Sequence, residues 1–280
     1  MDNKKIIITA SLPALLLAFG ILRSYIGNAI KNELIDSIYN GVAYFTFGIL
    51  LTLLLIIIAS RAKPGAIREC FKELGKNILL IIAGVVLSVL IIAFRYGIVF
   101  QTHFSFDPEI PLALFVLTAA SRTLEMLLLG VFFIGIILPL LMEYWGRWTA
   151  IALTSINYLL MQSGQLLASR GFDISRLLIV DVGLALSTAV LMYFILSYSY
   201  ARTKRIWFTL GFLTFWGLAD YTVFTLLKPD LKYYSSILDS FVVIFMLALV
   251  FFISKQIFNI QMTEKKAEDN RFRPKRDWVK

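Results

Sequence analysis

The chain has 280 residues, 59% of them hydrophobic and only 16% charged, with a mean hydropathy of +0.80 and a formal net charge of +9. Soluble domains carry about 25% charged residues, so this much apolar surface is too large for one soluble core and is expected to face lipid. One cysteine, Cys70, and one histidine, His103, exclude a disulfide framework and the Cys/His metal sets. The basic excess sits in loops and the tail, which suits a membrane surface and not nucleic acid.

A membrane-spanning helix needs about 20 mostly apolar residues. Eight stretches qualify: 6–22, 38–60, 78–98, 111–143, 148–165, 177–200, 206–227 and 237–257. The first starts with Lys4 and Lys5 like a signal peptide. Ala18-Phe19-Gly20 is a poor small-residue cleavage site, so the segment reads as a retained anchor. Between the second and third, residues 66–77 form an amphipathic segment. Ile67, Cys70, Phe71 and Leu74 share one face, and Arg68, Lys72 and Lys76 line the other. That pattern predicts an interfacial helix drawn to anionic lipid. The 111–143 stretch is too long for one simple span. It is expected to begin with a short segment near Pro111 and continue as a tilted or broken helix. The mixed-charge end, 258–280, reads as a cytoplasmic tail after a single transmembrane domain, 1–257.

Threading the eight spans with a cytoplasmic N-terminus places 19 Lys and Arg residues inside and seven outside, the latter including Arg23. Short cytoplasmic loops hold the positive excess. The expected fold is therefore all-α, a polytopic transmembrane helix bundle of about eight spans with both termini cytoplasmic. The compact size and basic loops suit a prokaryotic plasma membrane. Trp145, Trp148, Trp207 and Tyr200 fall near inner boundaries, where aromatic belts form.

Ionisable residues inside a bilayer are costly and point to function by default. Arg122 and Glu125 are three apart in the fourth span and can share a helix face. Asp181 and Asp220 fall toward the outer ends of their spans, as does Asp239. Gln162 and Gln165 end the fifth span on the same side, and Asn157 lies deeper. One reading is a polar cavity lined by Arg122, Glu125, Asn157, Gln162, Asp181 and Asp220, with Arg122 pairing Glu125 or Asp220. The other is interfacial solvation plus one structural ion pair, with Asn157 in an interhelical hydrogen bond. Gly211 and Gly217 suggest close helix approach.

The segment Phe133-Ile134-Gly135-Ile136-Ile137-Leu138-Pro139-Leu140-Leu141, followed by Trp145-Gly146-Arg147-Trp148-Thr149-Ala150-Ile151, resembles the CAAX prenyl protease and bacteriocin-processing family of intramembrane proteases. Tyr198-Ser199-Tyr200-Ala201-Arg202-Thr203-Lys204-Arg205-Ile206-Trp207 looks like that family's turn before its last catalytic helix. The resemblance covers about residues 111–220. The family carries E-E-x-x-x-R-G on one helix, a histidine on the next and H-x-x-x-N on a later one. With the family's glycine matched to Gly135, the glutamates fall at Leu129 and Gly130 and the arginine at Ile134. The first histidine then falls at Gln162, and the second histidine and the asparagine at Leu213 and Gly217. A shifted frame on Gly130 puts Glu125 at the second glutamate but leaves five extra residues before Gly146-Arg147-Trp148.

In that family a glutamate, helped by histidines, is thought to activate a water. Leucine, glycine and isoleucine cannot take a proton, and Gln162 can only orient a water. The resemblance thus implies a non-catalytic, pseudoprotease-like membrane protein that binds a membrane peptide or protein, with no cofactor, metal or nucleic acid. The alternatives are an active peptidase with an altered site using Glu125, or a small transporter or channel using the outward acidic cluster.

Overall fold

The computed structural model describes residues 3–33, 37–62, 65, 68–69, 71, 77–95, 112–169, 180–226, 241–253 and 255–256. Among these residues the chain is all-helical. The main elements are α1 (Asn3–Glu33), α2 (Ser37–Ala62), α3 (Ile78–Ala93), α4 (Leu112–Gly130), a π segment (Val131–Ile137), α5 (Leu138–Tyr144), α6 (Arg147–Ser169), α7 (Val180–Thr203), α8 (Trp207–Leu226) and α9 (Phe241–Ile253). The apolar stretch 111–143 is divided among α4, the π segment and α5, and each of the other seven falls on one helix as far as it is described.

One continuous run among the described residues, Val116–Tyr144, is long and apolar enough to cross a membrane. The apolar runs Ser11–Ile26, Thr46–Arg61, Ile78–Ala93, Trp207–Leu218 and Phe241–Ile253 are each 10–17 residues long.

The helices pack through backbone-close crossings. α1 lies along α6, and α3 lies along α8. A Cβ placed on Gly20 of α1 would strike the Met161 carbonyl oxygen of α6, and one on Gly164 of α6 would strike the Leu17 carbonyl oxygen of α1. The α3–α8 crossing repeats the arrangement. There Gly84 abuts the Phe208 carbonyl, and Gly211 abuts the Ile81 carbonyl. Small residues that admit backbone contact are typical of helix association in lipid, where apolar side chains gain little by leaving hydrocarbon. Gly211 thus has the packing role its sequence position suggested. Gly217 is looser, with the nearest atom to an added Cβ 3.3 Å away at Thr123 Cα.

The core centres on the π segment, whose seven residues are all buried. Pro139 follows it and has no N–H to give to the carbonyl four residues back, so the α-register cannot be kept there. The irregularity expected in 111–143 is therefore a wide turn just before Pro139. Pro111 lies outside the described residues. Phe133 packs its ring edge-on against Tyr158 at 5.4 Å and Tyr193 at 5.5 Å, and the two tyrosines stack at 3.6 Å. Buried hydroxyls mostly bond within their own helix, as Thr154 does to the Ala150 carbonyl at 2.8 Å and Ser155 to the Ile151 carbonyl at 3.1 Å.

The outer surface is apolar. Leu50, Leu54 and Ile57 of α2, Leu79 and Ile82 of α3, and Phe241, Phe245 and Phe252 of α9 are all exposed. Of the proposed interfacial segment 66–77, only residues 68, 69, 71 and 77 are described. Arg68 and Glu69 are exposed, Glu69 N–H donates to the Gly65 carbonyl at 3.0 Å, and Phe71 meets Trp207 edge-on at 5.5 Å.

Candidate functional site

Two helices bring charge into the interior, and a third makes room for it. The helical run of α1 continues past the first apolar stretch and carries Arg23 with it. Arg23 is not a loop residue, as threading placed it, but is buried and ion-paired with Glu125 of α4. Glu125 is 1% exposed. Its second oxygen, Oε2, lies 3.7 Å from Arg122 Nη1 one turn earlier. The i, i+3 spacing read from the sequence therefore makes a contact, but the closer partner comes from another helix. α2 supplies the space: a Cβ on Gly48 would collide with the Glu125 carboxylate and would lie 3.2 Å from Arg23 Nε. Thr52, one turn on, caps its own hydroxyl on the Gly48 carbonyl at 2.8 Å.

The charged junction adjoins the tyrosine stack. Tyr158 is within electrostatic reach of Arg122, Arg23 and Glu125. Gln162 Nε2 donates to Tyr158 Oη at 2.9 Å, which engages Gln162 within its own helix. Arg23, Arg122 and Glu125 together carry one excess positive charge. Two guanidiniums can hold one carboxylate and tie α1 to α4 where α2 leaves room. A general base in this place needs a free oxygen facing a water, whereas both Glu125 oxygens face arginines.

The other expected site residues divide into two groups. Asn157 is buried on α6 and makes no hydrogen bond to another helix among the described residues. The helical backbone of α7 and α8 includes Asp181 and Asp220, whose side chains lie outside the described set, as does His103.

Of the positions the resemblance singles out, Gly130 and Leu213 come together across α4 and α8. Leu213 Cδ1 lies 2.6 Å from where a Cβ on Gly130 would stand. Leu129, Ile134 and Leu213 are buried members of the hydrocarbon core, each 3% exposed or less. They pack as core, and neither of the two cavities described next is lined by them or by Gln162. Two described cavities lie elsewhere. One, of about 410 Å³, touches Pro139, Met142, Glu143, Tyr200, Lys204 and Arg205. The other, of about 520 Å³, is an apolar groove between α6 and α7 at Leu159, Leu186 and Val190. Among the described residues no three His, Cys, Asp or Glu side chains gather as a metal site.

Sequence reasoning missed Arg23, Gly48, Tyr158 and Tyr193. The signal for Arg23 was faint: a cation immediately after an apolar run, on a helix that had not yet met a stop. No protein family, curated protein or solved structure matches the chain.

Proposed function

We propose that the chain is an integral membrane protein of about eight spans, with both ends cytoplasmic, in a prokaryotic plasma membrane. It keeps a CAAX-protease-like arrangement of helices without the catalysis, and acts by binding a membrane peptide or protein. The observation that carries the non-catalytic reading is chemical. At the family-equivalent positions Leu129, Ile134 and Leu213, tightly packed hydrocarbon stands where proton-handling groups would be needed. Glu125, the one carboxylate an altered peptidase could use, is engaged by Arg23 and Arg122. The membrane reading is supported by the apolar outer surface of α2, α3 and α9 and by the two glycine crossings.

Cys70, the lone thiol, tests the threading. A membrane-impermeant maleimide should label it only after cells are permeabilised, whereas C70S/T102C should be labelled in intact cells. Release of the chain by alkaline carbonate without detergent would overturn the membrane reading. The purified protein should not cleave a lipidated peptide reporter. Cleavage that disappears in Glu125→Gln would make it a peptidase instead, and ion-coupled flux lost in Asp220→Asn would make it a transporter.

A further inference from the structure

The start of α6 and the end of α7 bring basic and aromatic side chains together. Arg147 Cζ lies 5.8 Å from the Tyr198 ring centroid and 5.8 Å from that of Trp148. Arg202 Cζ lies 5.7 Å from the same Tyr198 ring, and its Nε donates to Tyr198 Oη at 3.2 Å. Two guanidiniums therefore share one buried phenol. Neither has a carboxylate partner among the described residues, and Nε and Nη2 of Arg147 are buried there with no hydrogen-bond partner. Burial and the nearby Arg202 charge both push the Arg147 guanidinium below its usual range. The cation–π contacts offset part of this cost, yet they satisfy no N–H donor.

Like charges held together beside buried, unmet donors call for an anion. The neighbouring cavity does not have this character, because Glu69 and Glu143 share its wall with Lys204 and Arg205. The Arg147–Arg202 pair has no such balance. Its surroundings are also fixed. Phe251 of α9 packs edge-on against Tyr198 at 5.0 Å, and Trp148 stacks over Tyr198 at 5.8 Å while remaining 59% exposed.

We infer that Arg147 and Arg202 together bind a phosphate oxyanion, supplied by the headgroup of an anionic phospholipid at the cytoplasmic face. This rests on the membrane reading above. A guanidinium presents a planar fork of donors that matches two phosphate oxygens, and two forks can divide one phosphate between them. The exposed Trp148 ring sits where an amphipathic aromatic meets headgroups. The threading places these arginines on the cytoplasmic side, where basic residues attract anionic lipid.

The test uses the full-length protein in neutral detergent. Native mass spectrometry would measure retention of phosphatidylglycerol against phosphatidylcholine of the same acyl chains, with inorganic phosphate as a soluble competitor. The wild type should prefer phosphatidylglycerol by about thirtyfold. R147Q/R202Q should lose that preference, while R68Q, on the separate exposed basic segment, should keep it. Equal retention by the wild type and R147Q/R202Q would overturn the site. Displacement by inorganic phosphate with no lipid preference would overturn the headgroup source. A preference that appears only in E264Q/E268Q/D269N would also overturn the inference, because the tail's own carboxylates would then occupy the arginines. If R147Q/R202Q does not fold, the two lipids and the phosphate competitor on the unaltered chain decide. A chain found in the aqueous fraction without detergent fails the membrane reading. A chain that stays in bilayers without distinguishing the two lipids fails only this inference.

Discussion

Arg23 of α1 and Glu125 of α4 form a buried ion pair that Gly48 of α2 makes room for. α1, α2 and α4 therefore meet at one point. Neither charge can be left alone in an apolar interior, since an isolated buried ion loses its hydration without compensation. Arg122, partly exposed, adds a second positive group to the same carboxylate.

Glu125→Gln should destabilise the protein by about 3–5 kcal/mol, because it strands Arg23 without a counter-charge. R23M/E125L should recover most of that loss, since a well-packed apolar pair avoids both desolvation costs. Unfolding in detergent of the wild type, R23M, E125L and R23M/E125L gives the coupling directly. A neutral Glu125→Gln would show that the pair does not hold the bundle together.

The helices were legible because apolar runs are local signals, and every run but 111–143, which a π segment interrupts, lies on a single helix where it is described. The Arg122–Glu125 contact was legible for the same reason: three residues on a helix subtend one face. Arg23 was not, because its partner lies on another helix and its own apolar run ends at Leu22, while α1 continues to Glu33. Gly48 looked like any glycine in a span until a carboxylate was found against it. Gln162 was expected to face a cavity, yet it bonds to Tyr158 four residues earlier, a spacing present in the sequence. The hydrocarbon at Leu129 and Leu213 was readable as composition. Its close packing depends on contacts between α4 and α8 that no local pattern encodes.

The glycine crossings predict opposite signs for similar changes. Gly20→Val should cost about 1–3 kcal/mol or more, because its branched side chain would be driven into α6 backbone, which cannot yield as a side chain can. Gly183→Ala should be neutral or stabilising by about 0.5–1 kcal/mol, since an added Cβ meets nothing within 4 Å and alanine favours the helix. Melting temperatures of the two variants in one detergent check the contrast. Equal effects would mean that the α1–α6 approach is not as close as described.

The division between interior and outer surface can be tested with two phenylalanines. Phe133 is fully buried and meets Phe132, Tyr158 and Tyr193 edge-on. Phe133→Ala should cost about 3–5 kcal/mol through lost burial and the cavity left behind. Phe245 is 62% exposed on α9. Phe245→Ala should change detergent stability by no more than about 0.5 kcal/mol. A large loss at Phe245 would show that α9 buries that face against another surface.

Restoring the family's chemistry should fail for a structural reason. L129E/L213H would place a carboxyl and an imidazole at the positions where the resemblance expects a glutamate and a histidine. Both leucines are buried in packed hydrocarbon, and Leu213 already presses on Gly130. An ionised glutamate there would lack solvent and a counter-ion, and each polar group would displace core contacts. The double variant should therefore lose about 3–5 kcal/mol and gain no cleavage of a lipidated reporter. Stability and cleavage are read on the same purified sample, so a misfolded variant is not mistaken for an inactive one. A stable double variant that cleaves would mean that the scaffold keeps a water-accessible catalytic pocket, and the non-catalytic reading would be withdrawn.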